Sequence, residues 1–229
     1  MKNIIYILII GIASFTFLTG AQSCSKTNGN NSVSAAENLN IPELMDRPIL
    51  KGAETEYEDL HTRYQNAILA LKNNPDDKNQ YLTLASIFIA EARISGKSNY
   101  YNNAAMQMVN HVIERSAGDS ENLYLALSMK SGILLSLHQF KDALNVAQNA
   151  LTLNNRNATV YGALTDAQVE LGNYNQAVEM CDIMLKIKPD IRSYARASYL
   201  RQIFGDNTGA IEAMQMAVAA GVPGMENTE

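Results

Sequence analysis

Two matching stretches decide the fold, Phe140-Lys141-Asp142-Ala143-Leu144 and Tyr174-Asn175-Gln176-Ala177-Val178, which lie 34 residues apart. Other pairs match at the same spacing of 34, namely Leu137 with Leu171 and Leu151 with Leu185. A third copy follows at a spacing of 33 and pairs Tyr161 with Tyr194 and Ala177 with Ala210. A repeat of this length predicts a solenoid, in which each unit buries its apolar face by stacking on its neighbours.

Apolar residues recur at helical spacing throughout the part of the chain that carries the repeat. Three helices are predicted first, from Glu54 to Asn73, over 78–94 and over 101–115. Three antiparallel pairs then follow, 121–137 with 140–153, 158–171 with 174–187, and 191–204 with 207–220. No stretch alternates in the manner of a strand. We therefore expect an all-α fold, an α-solenoid of stacked antiparallel helix pairs over residues 54–221.

The turns between these helices carry the residues that helix ends require. Gly172 and Gly205 stand where a helix ends on a left-handed residue. Asn157 and Asp190 precede predicted helices and are suited to cap them, since their side chains accept hydrogen bonds from free backbone N–H groups.

Residues 158–191 resemble a tetratricopeptide repeat through Tyr161, Leu164, Thr165, Gly172, Tyr174, Ala177 and Pro189. Three further units, 85–119, 124–157 and 191–218, keep part of the same pattern. The resemblance implies a tetratricopeptide superhelix in which small residues at 143, 177 and 210 let paired helices approach closely. It also implies that Tyr161 and Tyr174 fill the wedge between helices. The alternative is a helical bundle with chance spacing, but bundles repeat heptads rather than 34-residue units.

The resemblance also implies that the first helix of each pair lines a concave groove, which binds an extended peptide or a partner helix. The corresponding residues are Leu125, Ser128, Gly132, Thr159, Gly162, Asp166, Arg192, Ala195 and Tyr199. Family members that clamp a terminal carboxylate use Lys and Asn there, and this chain has neither, so the clamp is not supported. Small residues at these positions let a partner approach the backbone, or alternatively pack a tightly curved groove.

The N-terminus carries a targeting segment. Lys2 precedes an apolar run over 4–18, and Ser23-Cys24 follows shortly after. This arrangement resembles a bacterial lipoprotein signal, which predicts a signal peptide over 1–23 and lipidation of Cys24. Cleavage after Ala21 and an uncleaved anchor are the alternatives. Residues 24–53 are predicted to form a lipid-attached flexible tether and an extended segment that leads into the helices. We expect the protein in the bacterial envelope, on the outer membrane facing the periplasm.

Composition and motifs argue against several functions. The formal net charge of -5 and the lack of a basic stripe argue against nucleic-acid binding. His61, His111 and His138 do not have the spacing of metal ligands, and no nucleophile motif is present, so we expect no metal, no cofactor and no enzyme activity. If Cys24 is lipidated, Cys181 is left alone, and we expect it to be a small buried core residue.

Residues 222–229 are predicted to be a truncated linker to a missing helix, or else the last helix docks without a cap. The predicted function is a non-enzymatic scaffold that binds an envelope protein or peptide of unknown identity. The alternative is a nutrient- or glycan-binding surface lipoprotein, which would need an aromatic platform. Tyr100 and Tyr101 are the candidates for that platform, although Tyr101 is more simply a core residue.

Overall fold

The computed structural model describes residues 41–49 and 51–221. Helices occupy most of this range: α1 (Glu54–Asn73), α2 (Lys78–Ile94), α3 (Ser98–Arg115), α4 (Ser120–Ser136), α5 (Phe140–Leu153), α6 (Ala158–Glu170), α7 (Tyr174–Ile187), α8 (Ile191–Ile203) and α9 (Asn207–Ala219). No strand occurs among the described residues. The predicted signal peptide 1–23, the lipidation site Cys24, the tether up to residue 40 and the linker 222–229 lie outside them.

The helix ends follow the sequence closely. Gly172 and Gly205 have φ angles of 77° and 80°, the left-handed conformation expected of them. Asn157 caps α6 by accepting a hydrogen bond from the Thr159 N–H, and Asp190 caps α8. Helix α3 begins at Ser98 rather than at Tyr101 as predicted, because Gly96 already turns the chain at φ 70° and leaves room for another helical turn.

The helices stack as four antiparallel pairs, α2 with α3, α4 with α5, α6 with α7 and α8 with α9, while α1 packs on α2. The first helices (α2, α4, α6 and α8) lie close to one another in sequence, whereas no Cα atoms of two different second helices in the described residues come within 8 Å of each other. A stack whose first helices lie closer together curves toward them, so the first helices form its concave face. This arrangement confirms the predicted α-solenoid of paired helices.

The residues that the repeat pattern placed at close helix contacts are buried. Ala143, Ala177 and Ala210 are all buried, which is consistent with close approach of the paired helices. Tyr161 is buried as well, and its hydroxyl donates a hydrogen bond to the Asn155 carbonyl at 3.1 Å. Tyr174 does not fill the wedge as expected, because it is the first residue of α7 and about two fifths of it is exposed.

Residues 41–49, here called the lead-in segment, lie against α1, α2 and α3 without helix or strand. Three tyrosine hydroxyls bind the segment's backbone. Tyr64 donates to the Pro42 carbonyl at 3.0 Å, Tyr100 donates to the Glu43 carbonyl at 2.8 Å, and Tyr101 accepts from the Met45 N–H at 2.9 Å. The side chains of Ile41, Leu44 and Met45 pack against the same core. The segment is held by both backbone hydrogen bonds and apolar contacts.

An ion pair fixes the far end of the lead-in segment. Arg47 Nε donates to Glu91 Oε1 at 3.0 Å, and Glu91 is only 1% exposed. The same guanidinium donates to Glu56 at 3.0 Å and lies 5.1 Å from the centre of the Tyr57 ring. Burial alone would lower the pKa of Arg47, but the two carboxylates outweigh that effect and raise it. Residues 41–49 therefore pack with the helices through this ion pair as well.

Candidate functional site

The nine residues assigned to the groove all lie on α4, α6 and α8, which belong to the concave row of first helices. They do not form one continuous pocket. Leu125, Ser128, Gly132 and Thr159 line a cleft toward the N-terminal end of the row. Asp166 and Tyr199 line a smaller hollow toward the other end. Gly162, Arg192 and Ala195 line neither of these two.

The larger hollow, here called the groove cleft, has a volume of about 260 Å³ and is lined by residues of α2, α3, α4 and α6. Apolar side chains form much of its wall, namely Ile89, Leu125, Met129 and Ile133. Gly132 faces open space, since a Cβ added there would meet no atom within 4 Å. Leu125 is 39% exposed at the mouth of the cleft, so apolar surface is available there to a partner.

Two hydroxyls in the groove cleft have no hydrogen-bond partner within the described part of the chain. Tyr124 is only 4% exposed, and its hydroxyl is buried and unpaired. The Ser128 hydroxyl, one helical turn further along α4, is buried and unpaired too. Burial raises the pKa of the Tyr124 phenol, and the nearby Ser128 hydroxyl opposes that shift without forming a hydrogen bond of acceptable geometry.

The cleft has a single kind of charge. Arg93, on the last turn of α2, is exposed and is the one charged residue among those lining the cleft. Among the residues that the structure describes, no carboxylate pairs with it. Asn102 on α3 also lines the cleft, is buried, and makes no side-chain hydrogen bond within 41–49 and 51–221. The cleft thus presents a cation beside apolar walls and unused polar groups.

The smaller hollow is lined by an ion pair of the protein itself. Arg196 on α8 reaches back to α6 and donates two hydrogen bonds to Asp166, from Nε at 2.8 Å and from Nη2 at 2.6 Å. Its guanidinium also lies over Gly162, where an added Cβ would come within 3.3 Å of the Arg196 Cζ. Gly162 is therefore buried, and the Asp166 charge is neutralised. Tyr199 stays 54% exposed beside this hollow.

The described residues contain no candidate metal site and one buried thiol. No three His, Cys, Asp or Glu side chains in 41–49 and 51–221 lie close enough to hold a metal ion. Cys181 is buried, as expected, and burial raises the pKa of its thiol to about 11, so it is protonated at neutral pH. Among the helices of the described residues, none combines the length and the apolar character needed to cross a bilayer.

The aromatic platform considered for glycan binding is not free. Tyr101 is completely buried and stacks against Phe88 at a ring-centre distance of 6.0 Å. Tyr100 packs edge-on against Tyr101 and uses its hydroxyl to hold the lead-in segment. Both tyrosines therefore make contacts within the protein in this structure.

Sequence reasoning missed the contribution of α2 and α3 to the cleft. Ile89 and Arg93 occupy the same repeat positions in the 85–119 unit that Ser128 and Gly132 occupy in the next unit, so the repeat alone could have identified them. Tyr124 and Asn102 carried no comparable signal, because their burial beside the cleft depends on how the units stack.

Comparison with known proteins agrees with this architecture. The tetratricopeptide repeat family matches residues 134–203. The crystal structure of MamA is 18% identical, with a TM-score of 0.53 over 78% of this chain and 96% of that chain. The structure of TTC0263, a thermophilic tetratricopeptide protein of Thermus thermophilus, is 16% identical, with a TM-score of 0.61 over 75% of this chain and 90% of that chain. Curated protein sequences give no significant match. The fold is thus a helical solenoid of the tetratricopeptide type.

Proposed function

We propose that this solenoid is a non-enzymatic scaffold that binds another protein along the concave face of its first helices. The observation that carries the proposal is the open groove cleft, which crosses three successive units and places the exposed Leu125 beside unpaired polar groups. Tyr199 extends the same face toward the C-terminal units. Stacked units form a long surface of this kind, which suits a partner that is itself elongated.

Substitutions on the concave face test this function without disturbing the core. Arg192→Glu and Tyr199→Ala alter exposed side chains on α8, so each should change the free energy of unfolding by within about 0.5 kcal/mol. Both should nevertheless abolish capture of the envelope partner by the full chain, measured by affinity purification and quantitative mass spectrometry.

Matched controls lie away from the concave face. Arg156→Glu reverses an exposed charge in the loop before α6, and Leu153→Ala shortens an exposed apolar side chain at the end of α5. Both should leave capture unchanged. If the two α8 variants recover the same partners in the same amounts as the parent protein, the concave face is not the binding surface.

We further propose that the scaffold is a lipoprotein held by Cys24 on the outer membrane, facing the periplasm. The support comes from the sequence alone: a single early lysine precedes an apolar run over 4–18, and Ser23-Cys24 follows shortly after that run. A multi-chain lipid anchor holds a protein firmly, whereas a single chain binds marginally.

Cys24→Ala should therefore move the protein from the membrane fraction to the soluble fraction, measured by fractionation and immunoblotting. Mass spectrometry of the parent protein should show a lipid-modified N-terminus at Cys24. A mature N-terminus at Gln22 without lipid would contradict the proposed anchor.

A further inference from the structure

The last described helix, α9, carries an exposed apolar stripe. Ile211, Met214 and Val218 lie three and four residues apart, so they share one face of the helix. Their side chains are 60%, 45% and 75% exposed. These three residues are here called the α9 stripe, and together they form a contiguous apolar surface open to solvent.

The repeat shows what the equivalent surface of α7 contacts. The residues that stand 33 positions before the α9 stripe are Val178, Cys181 and Leu185. They belong to one apolar cluster with Ala197 and Leu200 of α8, the first helix of the next unit. Cys181 is only 2% exposed as a result, whereas Met214 at the same repeat position is 45% exposed.

The equivalent surface of α5 is covered in the same manner. Leu144, Ala147 and Leu151 stand 34 positions before the α7 residues and cluster with Tyr161 and Leu164 of α6. Two preceding units thus bury this stripe beneath another helix, and the driving force is removal of apolar surface from water. The α9 stripe is therefore a helix-packing surface that no helix of the described residues covers.

We propose that the α9 stripe is the contact surface of a symmetric homodimer, in which α9 of one copy packs against α9 of a second copy. This inference goes beyond the scaffold function, because it concerns a second helix at one end of the solenoid rather than the concave face of the first helices.

The charge of α9 suits contact with its own image. A two-fold contact places the same patch of both copies face to face, so any charge in the patch meets a like charge. The α9 stripe has no charged member. Glu212 is the one charged residue of the whole helix, and its position lies outside the spacing of the stripe. Two copies of this surface can therefore meet without repulsion between buried charges.

The other end of the described solenoid offers no apolar surface to which the α9 stripe could bind. Helix α1 exposes one apolar side chain, Leu69, and its other exposed residues are polar or charged. Its first turns are acidic, with Glu54, Glu56 and Glu58. A head-to-tail contact would set apolar residues against this surface, whereas the two-fold contact buries both α9 stripes at once. The polarity of the two ends thus selects a closed dimer.

The size of α9 predicts a weak and reversible dimer. The helix has 13 residues and is therefore about 20 Å long. A contact between two such helices stays at the lower end of protein interfaces, below about 1,200 Å² of total buried surface. We therefore expect dissociation in the micromolar range.

Sedimentation equilibrium of the full chain tests the proposal. The protein is kept in a mild detergent whose density is matched with heavy water, so that bound detergent adds no buoyant mass. The mass should rise from that of one chain to that of two chains as the concentration passes through the micromolar range, and it should rise no further.

Exposed apolar residues at both ends supply a test variant and its control. Ile211→Glu and Val218→Glu should each weaken dimerisation by about tenfold or more, because a charge would be buried at the contact. Leu69→Glu on α1 is the matched control, since Leu69 and Ile211 are both 60% exposed. It should leave the dissociation constant unchanged. All three dilute proteins should melt at the temperature of the dilute parent.

A mixture of two variants tests the symmetry of the contact. Met214→Glu and Met214→Lys should each associate weakly alone, because like charges meet near the two-fold axis. An equimolar mixture should associate more tightly than either variant, because opposite charges then meet. A contact between α9 and a different surface of the second copy would show no such recovery.

Four results would overturn the homodimer. They are a parent protein that stays monomeric at every concentration, which would assign the α9 stripe to a different partner, growth beyond two chains, equal weakening by Leu69→Glu, and a mixture no tighter than its components. The scaffold function is tested separately by partner capture with Arg192→Glu. Loss of the dimer in Ile211→Glu with capture retained would keep the two proposals independent, and the first alone fails if the parent is monomeric.

Discussion

At the scale of single residues, one buried ion pair contributes to the stability of the N-terminal end. Arg47 is 7% exposed at its side chain, and Glu91, which it binds at 3.0 Å, is 1% exposed. Removing one partner of such a pair leaves an uncompensated charge in the interior. Because Glu91 is 1% exposed, water cannot solvate its charge if Arg47 is removed.

Arg47→Met should therefore lower the free energy of unfolding by about 2–3 kcal/mol, measured by urea denaturation of the full chain. The matched control is Arg63→Met, because Arg63 is exposed and lies 3.9 Å from Asp59 within α1. That substitution should cost no more than about 0.5 kcal/mol. Equal losses for the two variants would show that the lead-in segment is not part of the cooperative fold.

Pairwise contacts between units were the part of the site that could not be predicted. Asp166 and Tyr199 were assigned to the groove from their repeat positions, and both do lie on first helices of the concave face. The repeat could not show that Arg196 would cross to Asp166 and cover Gly162, because Arg196 has no counterpart of the same kind in the neighbouring units. A repeat pattern predicts which helix face a residue occupies. The contacts of that residue depend on which side chains the neighbouring unit places opposite it.

At the scale of helices, the first helices end in the same left-handed backbone conformation, and one unit adopts it with a residue other than glycine. Gly172 after α6 and Gly205 after α8 adopt positive φ angles. His138 after α4 stands 34 residues before Gly172 and has φ 58°, the one non-glycine residue with positive φ in the described part of the chain. A side chain in this conformation is strained, although His tolerates it better than most residues.

His138→Gly should raise the free energy of unfolding by about 0.5–1 kcal/mol, measured by thermal or urea denaturation. The reciprocal change, Gly172→His, should lower it by about 1 kcal/mol. A Cβ added at Gly172 would meet no atom within 4 Å, so the loss should reflect backbone strain rather than a clash. A destabilised His138→Gly protein would mean that the His138 ring, 5.6 Å from Phe140 between ring centres, contributes more than the strain costs.

Helix positions were predictable because they depend on local signals that the sequence displays. The caps at Asn157 and Asp190 and the glycine at 172 each act within a few residues of their own position. The lead-in segment shows the opposite case. Its prolines indicate an extended chain, but its burial depends on Tyr64, Tyr100 and Tyr101, which lie 22, 57 and 56 residues from their partners. Local propensity cannot report contacts at such separations.

At the scale of the whole molecule, the solenoid creates a surface that no single unit possesses. The groove cleft takes residues from α2, α3, α4 and α6, so it exists only when successive units are stacked. This is why the repeat pattern assigned the groove to residues of α4, α6 and α8 and left out Arg93, Asn102 and Tyr124. The central claim is that this face, rather than the outer one, contacts the partner.

Site-specific photocrosslinking in cells tests that claim most directly. A benzophenone amino acid is placed in the full chain at Leu125 or Tyr199 on the concave face, and at Gln148 or Glu179 on the second helices α5 and α7. All four positions are exposed, so the four proteins should melt at similar temperatures. We predict crosslinks to the same partner from Leu125 and Tyr199 and none from Gln148 and Glu179. Crosslinks from the second helices alone would contradict the account.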